Sequence, residues 1–404
     1  MDGIKVEREL ALGEKLSVIN LVNGIIEHAY ALRASDVHMD PGAECMRVRL
    51  RIDGMLQDVH VIPNAVSAEV TSRIKILAGL RTDEHQAAQD GRFRAMSENS
   101  DTIDIRVSIV PAYYGENVVL RLLADKAQEY TLEALGLSPD NAHKIIEAAR
   151  RAHGMILATG PTGSGKTTTL YTILKKLNTK DVAIVTIEDP IEYAVSGIKQ
   201  IQVNSRTALG FANGLKSILR QDPNIIMVGE IRDAETAGIA VNTALTGHLV
   251  LSTLHTNDAA TTLPRLLDMK IEPYLIASTV SIVIGQRLVR KICESCKEQR
   301  KLSPAEEKNI ADIREFFDSA KTQMLSHGKG CADCNQSGYR GRVGIYEVMP
   351  IDDPIREAML KKCSASQIEE IAVAHGMQTM GQDGFEKAAQ GITTLEEVLR
   401  VIHE

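Results

Sequence analysis

The sequence predicts an α/β protein, with a core of parallel strands and helices, a smaller α+β domain before it and a cysteine-rich insertion after it. Three observations carry this. From about residue 154, short apolar runs alternate with longer helical stretches, as a parallel sheet covered on both faces requires. Before residue 128, strict polar–apolar alternation recurs, which marks half-buried strands. After residue 290, two Cys-x-x-Cys pairs interrupt the pattern. At roughly 150 residues per domain, 404 residues make room for two or three domains.

The elements follow in order. Residues 14–33 place Leu16, Ile19, Val22, Ile25, Ile26, Ala29 and Leu32 at three- and four-residue steps, which predicts an amphipathic helix. Ser35 to Pro41 breaks that pattern. In Arg47–Leu56, Val48, Leu50 and Ile52 alternate with three arginines, and Asp53-Gly54 then signals a tight hairpin. A helix is expected over 67–80, and strands over 103–109 and 117–123. Residues 132–137 read as a linker, with a helix cap at Ser138. Buried strands are expected at 155–158, 182–187, 225–228 and 249–254, and a helix at 168–177. The tail reads as helical, with capping boxes at Ser366-x-x-Glu369 and Thr394-x-x-Glu397.

Composition narrows the function. Hydrophobic residues at 44% and charged residues at 25% exclude a wholly disordered chain. A net charge of −7, no Trp and 3% aromatics argue against a nucleic-acid-coating protein or a base-stacking platform. The longest apolar candidate, Leu275–Gly285, is far short of the ~20 residues that span a bilayer, and the N-terminus lacks a secretory apolar segment. A cytoplasmic protein is expected, with membrane contact only through partners. Six Cys are too few for a disulfide scaffold in a chain of this length.

Gly160-Pro161-Thr162-Gly163-Ser164-Gly165-Lys166-Thr167 matches the phosphate-loop pattern G-x-x-x-x-G-K-[ST]. Its glycines let backbone N–H groups turn inward around phosphate oxygens. Lys166 would reach the β- and γ-phosphates of ATP, and Thr167 would ligate Mg²⁺. A strand before it and a helix after it argue against a mere glycine-rich turn. The strand 225–228 runs into Gly229-Glu230, which puts a carboxylate where the attacking water would sit. Gly229 stands where such strands usually carry an Asp. The strand 182–187 ends in Glu188-Asp189 with Glu192 nearby, so Glu188 is an alternative base. His255, at the carboxyl end of the 249–254 strand, lies on the ligand side, placed to hydrogen-bond a γ-phosphate or sense its loss; His248 at the other end is less well placed, and its structural and functional readings weigh about equally. Cys293, Cys296, Cys331 and Cys334 form two close thiolate pairs, suited to a closed tetrahedral Zn²⁺ site. Cys45 and Cys363 read as ordinary residues.

These motifs, in this order, resemble the type II secretion and type IV pilus assembly ATPases of the secretion NTPase superfamily. The resemblance spans nearly the whole chain. It includes Ser35-Asp36-Val37-His38, Arg51-Ile52-Asp53-Gly54, Gln89-Asp90-Gly91-Arg92 and Gly115-Glu116-Asn117. It also includes the phosphate loop, the acidic segment 187–193, the 225–230 strand, the histidine segment 246–258, Gln286-Arg287-Leu288, the four cysteines and Gly338-Tyr339-Arg340-Gly341-Arg342. The Gly229-Glu230 ending agrees with this family. The resemblance implies a RecA-like P-loop NTPase core at 131–289 behind a PAS-like arm at 1–130. A tetracysteine subdomain at 290–345 and a helical subdomain at 346–404 follow.

The same resemblance implies a homohexamer at the cytoplasmic face of the inner membrane. ATP hydrolysis would move the arm against the core, and a membrane platform protein would convert that motion into pilus or pseudopilus growth. A membrane-recruiting protein is a further implied partner, since longer members carry an extra N-terminal recruitment module. Arg106 and Arg121 match the family's arginines that reach the nucleotide from the arm. Retraction ATPases lack the four cysteines, which favours secretion or extension. Protein secretion, pilus extension and DNA uptake remain undivided within that class. Two readings compete with it: a RecA-like nucleic-acid translocase, and a non-hydrolysing ring member stapled by zinc.

Overall fold

The computed structural model describes residues 3–97, 100–124, 130–204, 207–301 and 324–403. The chain forms two compact units, Met1–Ala127 and Gln128–Glu404. The boundary expected near 128–130 abuts residues 125–129, which lie outside the described residues, as does 302–323 within the cysteine region.

The first unit carries helices α1 (Gly3–Leu10), α2 (Val18–Ala31) and α3 (Asn64–Leu77). Its strands are β1 (Asp36–Pro41), β2 (Cys45–Ile52), β3 (Met55–Pro63), β4 (Gln89–Met96), β5 (Thr102–Ala112) and β6 (Gly115–Ala124). They make one antiparallel sheet in the order β3-β2-β1-β6-β5-β4. The expected hairpin is present, with Asp53 and Gly54 both at positive φ between β2 and β3. Ile103, Ile105, Val107 and Ile109 are buried with Val22, Ile25 and Ile74 in one core. The intervening Asp104, Arg106 and Ser108 stay on the open face, as the period of two demands.

The structure adds two strands to this unit and shortens one expected helix. Ser35–Pro41 does break the helical pattern, and it does so by forming a strand that was not expected: Val37 and Met39 are fully buried, with His38 between them. The strand β4 was missed, because no residue of this edge strand is fully buried and it shows no apolar run. The helix expected over 14–33 starts only at Val18, after a cap in which Ser17 accepts from Asn20 N.

The second unit is built on a seven-stranded sheet in the order β15-β12-β7-β11-β10-β8-β9. Its strands are β7 (Gly154–Thr159), β8 (Ile184–Glu188), β9 (Lys199–Gln202), β10 (Ile225–Val228), β11 (Leu249–Leu254), β12 (Val280–Ile292) and β15 (Tyr339–Pro350). All pairings are parallel except β12 with β15. Every residue of β7, β8, β10 and β11 is buried, as a sheet covered on both faces requires. The helices α4 (Pro139–Ala149) and α5 (Lys166–Leu177) contribute to one apolar layer. The helices α6 (Phe211–Ile218), α7 (Ala234–Leu245), α8 (Ala259–Asp268) and α9 (Pro273–Thr279) contribute to the other. Ser138 caps α4 as expected. The α/β class with a smaller α+β unit is therefore what folds.

The apolar run Leu275–Gly285 is split between α9 and β12. No helix among the described residues is long and apolar enough to cross a membrane. The short sheet of β13 (Lys297–Lys301) and β14 (Met324–Gly328) leads to the second cysteine pair. Four helices close the chain: Asp353–Leu360, Ala365–Ala374, Met380–Ala389 and Leu395–His403. The expected box at Ser366 is not formed, since Ser366 lies inside its helix. The boxes that form are Ser364 with Gln367 and Thr379 with Gln382. Thr394 does accept from Glu397 N at 3.3 Å. The Glu397 carboxylate, however, turns to Arg290 and Arg400, which bind it more strongly than a helix cap would.

Candidate nucleotide site and four-cysteine cluster

Parallel strands deliver their carboxyl ends to one edge of a sheet, and here that edge collects most of the expected residues. The phosphate loop leaves β7 and ends at α5, with Gly160, Gly163 and Gly165 all at positive φ. Side chains rarely adopt that conformation, so the glycines are a backbone requirement. A Cβ on Gly160 would also lie 2.3 Å from the Gln286 carbonyl oxygen. Pro161, Thr162 and Gly163 are exposed at the loop crown, Ser164 is buried beneath it, and Thr167 is half-buried in the first turn of α5. Lys166 is buried and donates to Gly160 O at 2.7 Å and Pro161 O at 2.9 Å. Its ammonium is folded onto the loop's own carbonyls, within reach of the place a phosphate would occupy. Burial lowers the Lys166 pKa to about 8, against the opposing pull of the Glu230 carboxylate.

Glu230 follows β10 and is 8% exposed. Its carboxylate is held from both sides, by Arg232 at 2.5 Å and by His255 Nε2 at 3.1 Å. The backbone beneath it is pinned: Gly229 N donates to Ile187 O, Ser252 Oγ to Val228 O and Thr253 Oγ1 to Gly229 O. A Cβ at Gly229 would stand 3.3 Å from Glu188 Cα and 3.3 Å from Ile187 O, a tight fit for any side chain at this position. The structure thus brings Lys166, Glu230 and His255 to one strand edge.

Glu188 ends β8 on the same edge, but its carboxylate is engaged elsewhere. It accepts from the Tyr171 hydroxyl, from Thr186 Oγ1 at 2.5 Å and from Gln200 Nε2 at 3.2 Å. Burial, helped by this carboxylate, pushes the Tyr171 phenol well above its usual range. His248 sits at the far end of β11 against Thr243 O.

Arg106 and Arg121 belong to the first unit, where they are directly opposite each other on β5 and β6. The acidic residues nearest to them in sequence, Asp104 and Glu116, meet other cations. Asp104 meets Arg94 at 3.5 Å, while Glu116 meets Lys75 at 2.7 Å and His85 at 2.9 Å. Arg121 instead meets Asp36 at 3.0 Å, and Arg51 approaches the same carboxylate at 3.6 Å. Asp36 lies 85 residues away in sequence, which is why adjacency did not reveal it.

The ligand atoms of Cys293, Cys296, Cys331 and Cys334 all lie within 4.8 Å of one another. The sulfur separations are 3.9 Å for 293–331, 3.8 Å for 296–334 and 3.7 Å for 331–334. A tetrahedral site with Zn–S near 2.3 Å places sulfurs about 3.8 Å apart, which these three separations match. Burial raises the Cys334 thiol, but the N–H groups of Cys331 and Gly338 aim at its sulfur at 3.2 and 3.3 Å, and the net result is a pKa lowered to about 6. The two knuckles are joined by backbone hydrogen bonds, Cys293 N to Gly338 O and Lys329 N to Cys296 O, each at 3.0 Å.

Two further residues at the nucleotide site had no role assigned from sequence. Arg232 was detectable as a cation two residues past Glu230. Gln286 was detectable as an amide within the apolar stretch Val280–Val289, and the fold buries it at 1% exposure.

The family model described as "Type II/IV secretion system protein" matches residues 12–400. The type II secretion system protein E of Xanthomonas campestris pv. campestris is 45% identical over 403 residues, covering 100% of this chain and 70% of that protein. The type IV pilus assembly ATPase PilB of Myxococcus xanthus is 46% identical over 385 residues, covering 95% of this chain and 67% of its own length. Among solved structures, the Legionella pneumophila ATPase DotB shares the fold with a TM-score of 0.68 at 24% identity, covering 94% of this chain and 95% of that one. The pilus retraction motor PilT with bound ADP gives a TM-score of 0.63 at 27% identity, covering 94% and 96%.

The buried Lys166 carries a pH dependence. Its charged form attracts phosphate; it is fully present below its pKa of about 8 and is lost as pH rises through that value. ADP affinity is therefore expected to be flat near neutral pH and to fall toward a limit of about tenfold per pH unit above it. Calorimetric titrations between about pH 7 and 9.5 read this directly. A flat profile over that range would exclude Lys166 as the titrating contact.

Proposed function

The chain belongs to the type II/IV secretion system protein family, and from that premise we propose that it is the ATPase that drives assembly of a type II secretion pseudopilus or a type IV pilus. The observation that carries this is the meeting of Lys166, Glu230 and His255 at one sheet edge, on a chain that also bears the four-cysteine cluster. The phosphate loop, Gly160 to Thr167, binds ATP. Lys166 exchanges its two loop carbonyls for the β- and γ-phosphate oxygens, which keeps the ammonium hydrogen-bonded throughout. Mg²⁺ held by Thr167 supplies charge neutralisation at those phosphates.

Glu230 orients the attacking water and accepts its proton, while His255 and Arg232 fix the carboxylate's direction. Glu188 is read as a support for the strand end, because three donors already occupy its carboxylate. Arg106 and Arg121 stabilise transition-state charge from the first unit, within a homohexamer. Cys293, Cys296, Cys331 and Cys334 would hold Zn²⁺, which would supply a cross-link within the 290–345 subdomain, whose ends run in β12 and β15 of the core sheet. The ring works at the cytoplasmic face of the inner membrane through a platform protein and a recruiting protein.

Three experiments test these roles. Glu230→Gln is expected to bind ATP normally and to lose turnover by about 10² or more, whereas Lys166→Ala loses binding as well. If Glu188→Gln stalls hydrolysis and Glu230→Gln does not, the two glutamates exchange roles.

Replacing Cys293 and Cys296 by Ser is expected to remove one zinc per chain and to increase proteolysis of 290–345, with little change in ATP affinity. Absence of zinc from the purified wild-type protein, measured by elemental analysis, would sink the metal assignment.

Arg121→Ala and Arg106→Ala are expected to cut turnover on the order of 10³-fold at saturating ATP, with hexamers intact. Full turnover in intact hexamers would leave both arginines as partners of local ion pairs.

A further inference from the structure

Gln286 is a buried polar residue of which one amide function is paired and the other is not. It lies in β12 among Ile282, Val283, Ile284 and Val289, all buried. Its Nε2 donates to Ser164 O at 2.7 Å, 122 residues away in sequence. Its Oε1 is buried without a hydrogen-bond partner, as is the neighbouring Ser164 Oγ. An apolar side chain of the same length would avoid that orphaned oxygen, since a buried acceptor left unmade is costly. The contact is also close-built. Cβ atoms on Gly160 and Gly165 would approach the Gln286 carbonyl and amide at 2.3 and 3.3 Å, so the loop packs closely on Gln286, with Leu288 of the same strand beside it.

The direction of the bond gives it a consequence. A trans peptide is planar, with its C=O and the following N–H pointing opposite ways. Anchoring Ser164 O on Gln286 therefore aims the Gly165 N–H away from β12, toward the concave side of the loop. Gly165 stands at the start of α5 at positive φ, so it has no side chain to lock that peptide by packing. Lys166 is the next residue and depends on the same turn.

We propose that Gln286 is a positioning residue of the phosphate loop, holding the Ser164–Gly165 peptide so that its N–H is presented to the phosphates of ADP or ATP. The inference rests on the nucleotide-site reading above. It concerns binding common to both nucleotides rather than the hydrolytic step. Removing the bond should then raise KM and leave kcat nearly unchanged, the pattern of lost uniform binding.

The variant that separates this from a packing role is Gln286→Met, which keeps the length, removes the donor and removes the orphaned oxygen. It exchanges one unpaired buried oxygen, Gln286 Oε1, for another, Ser164 O, so it is expected to melt close to wild type, yet to bind ADP and ATP roughly fivefold to tenfold more weakly, the worth of one hydrogen bond. Gln286→Glu, which sets an acceptor against Ser164 O, should weaken both further. A folded Gln286→Met protein with wild-type nucleotide affinity overturns the proposal. Should that variant not fold, the ADP-bound wild-type structure decides: a retained Nε2–Ser164 O hydrogen bond supports the role and a broken one ends it. Lys166→Ala is the control. If it binds nucleotide like wild type, the site reading itself falls; if it loses binding while Gln286→Met keeps it, only the role of Gln286 falls.

Discussion

Parallel strand pairing is the constraint on which this molecule depends. Parallel neighbours need crossover connections, so every strand of the central set runs the same way and ends on the same edge. The strands β7, β8, β10 and β11 therefore deliver Gly160, Glu188, Glu230 and His255 to one line, although 95 residues separate the first from the last. Burial on both faces makes the strands rigid and featureless inside. Their chemistry is confined to the residues just past the last ladder bond.

That edge is finished by side-chain hydrogen bonds rather than by apolar packing. Ser252 and Thr253 hold the carbonyls of Val228 and Gly229, while Thr159 Oγ1 donates to Thr256 O at 3.0 Å. Each is a hydroxyl in a largely apolar strand, and each donates to a carbonyl at or just past the end of a strand. The same logic accounts for Gln286 and for Glu230 between Arg232 and His255. Polar residues enter this core where the backbone turns away from the ladder.

The strand β12 joins the two candidate sites. At Gln286 it touches the phosphate loop, and six residues later it ends at Ile292, beside Cys293. Between them Arg290 is gripped by Glu397, while Thr393 donates to the Arg290 carbonyl. Val289, Val343 and Ile345 pack with Phe385, Leu395 and Val398 in one apolar cluster. The cysteine knuckles thus rest on the C-terminal helices, which explains why Glu397 was drawn away from the capping role its spacing suggested.

By itself, the sequence determined the α/β class, the phosphate loop, the cysteine quartet and the strand ends that carry Glu230 and His255. These are local features: a glycine spacing, a thiol spacing or an apolar period fixes them within a few residues. The tertiary structure alone decided that Asp36 is the partner of Arg121, that Glu188 spends its carboxylate on Tyr171, Thr186 and Gln200, and that Gln286 lies under Ser164. It also decided that Ser35–Pro41 contains a strand and that the edge strand β4 exists. The reason is physical. A buried polar group must find a partner in space, and with 85 or 122 residues between partners the choice belongs to the register of the sheets, which no local pattern records.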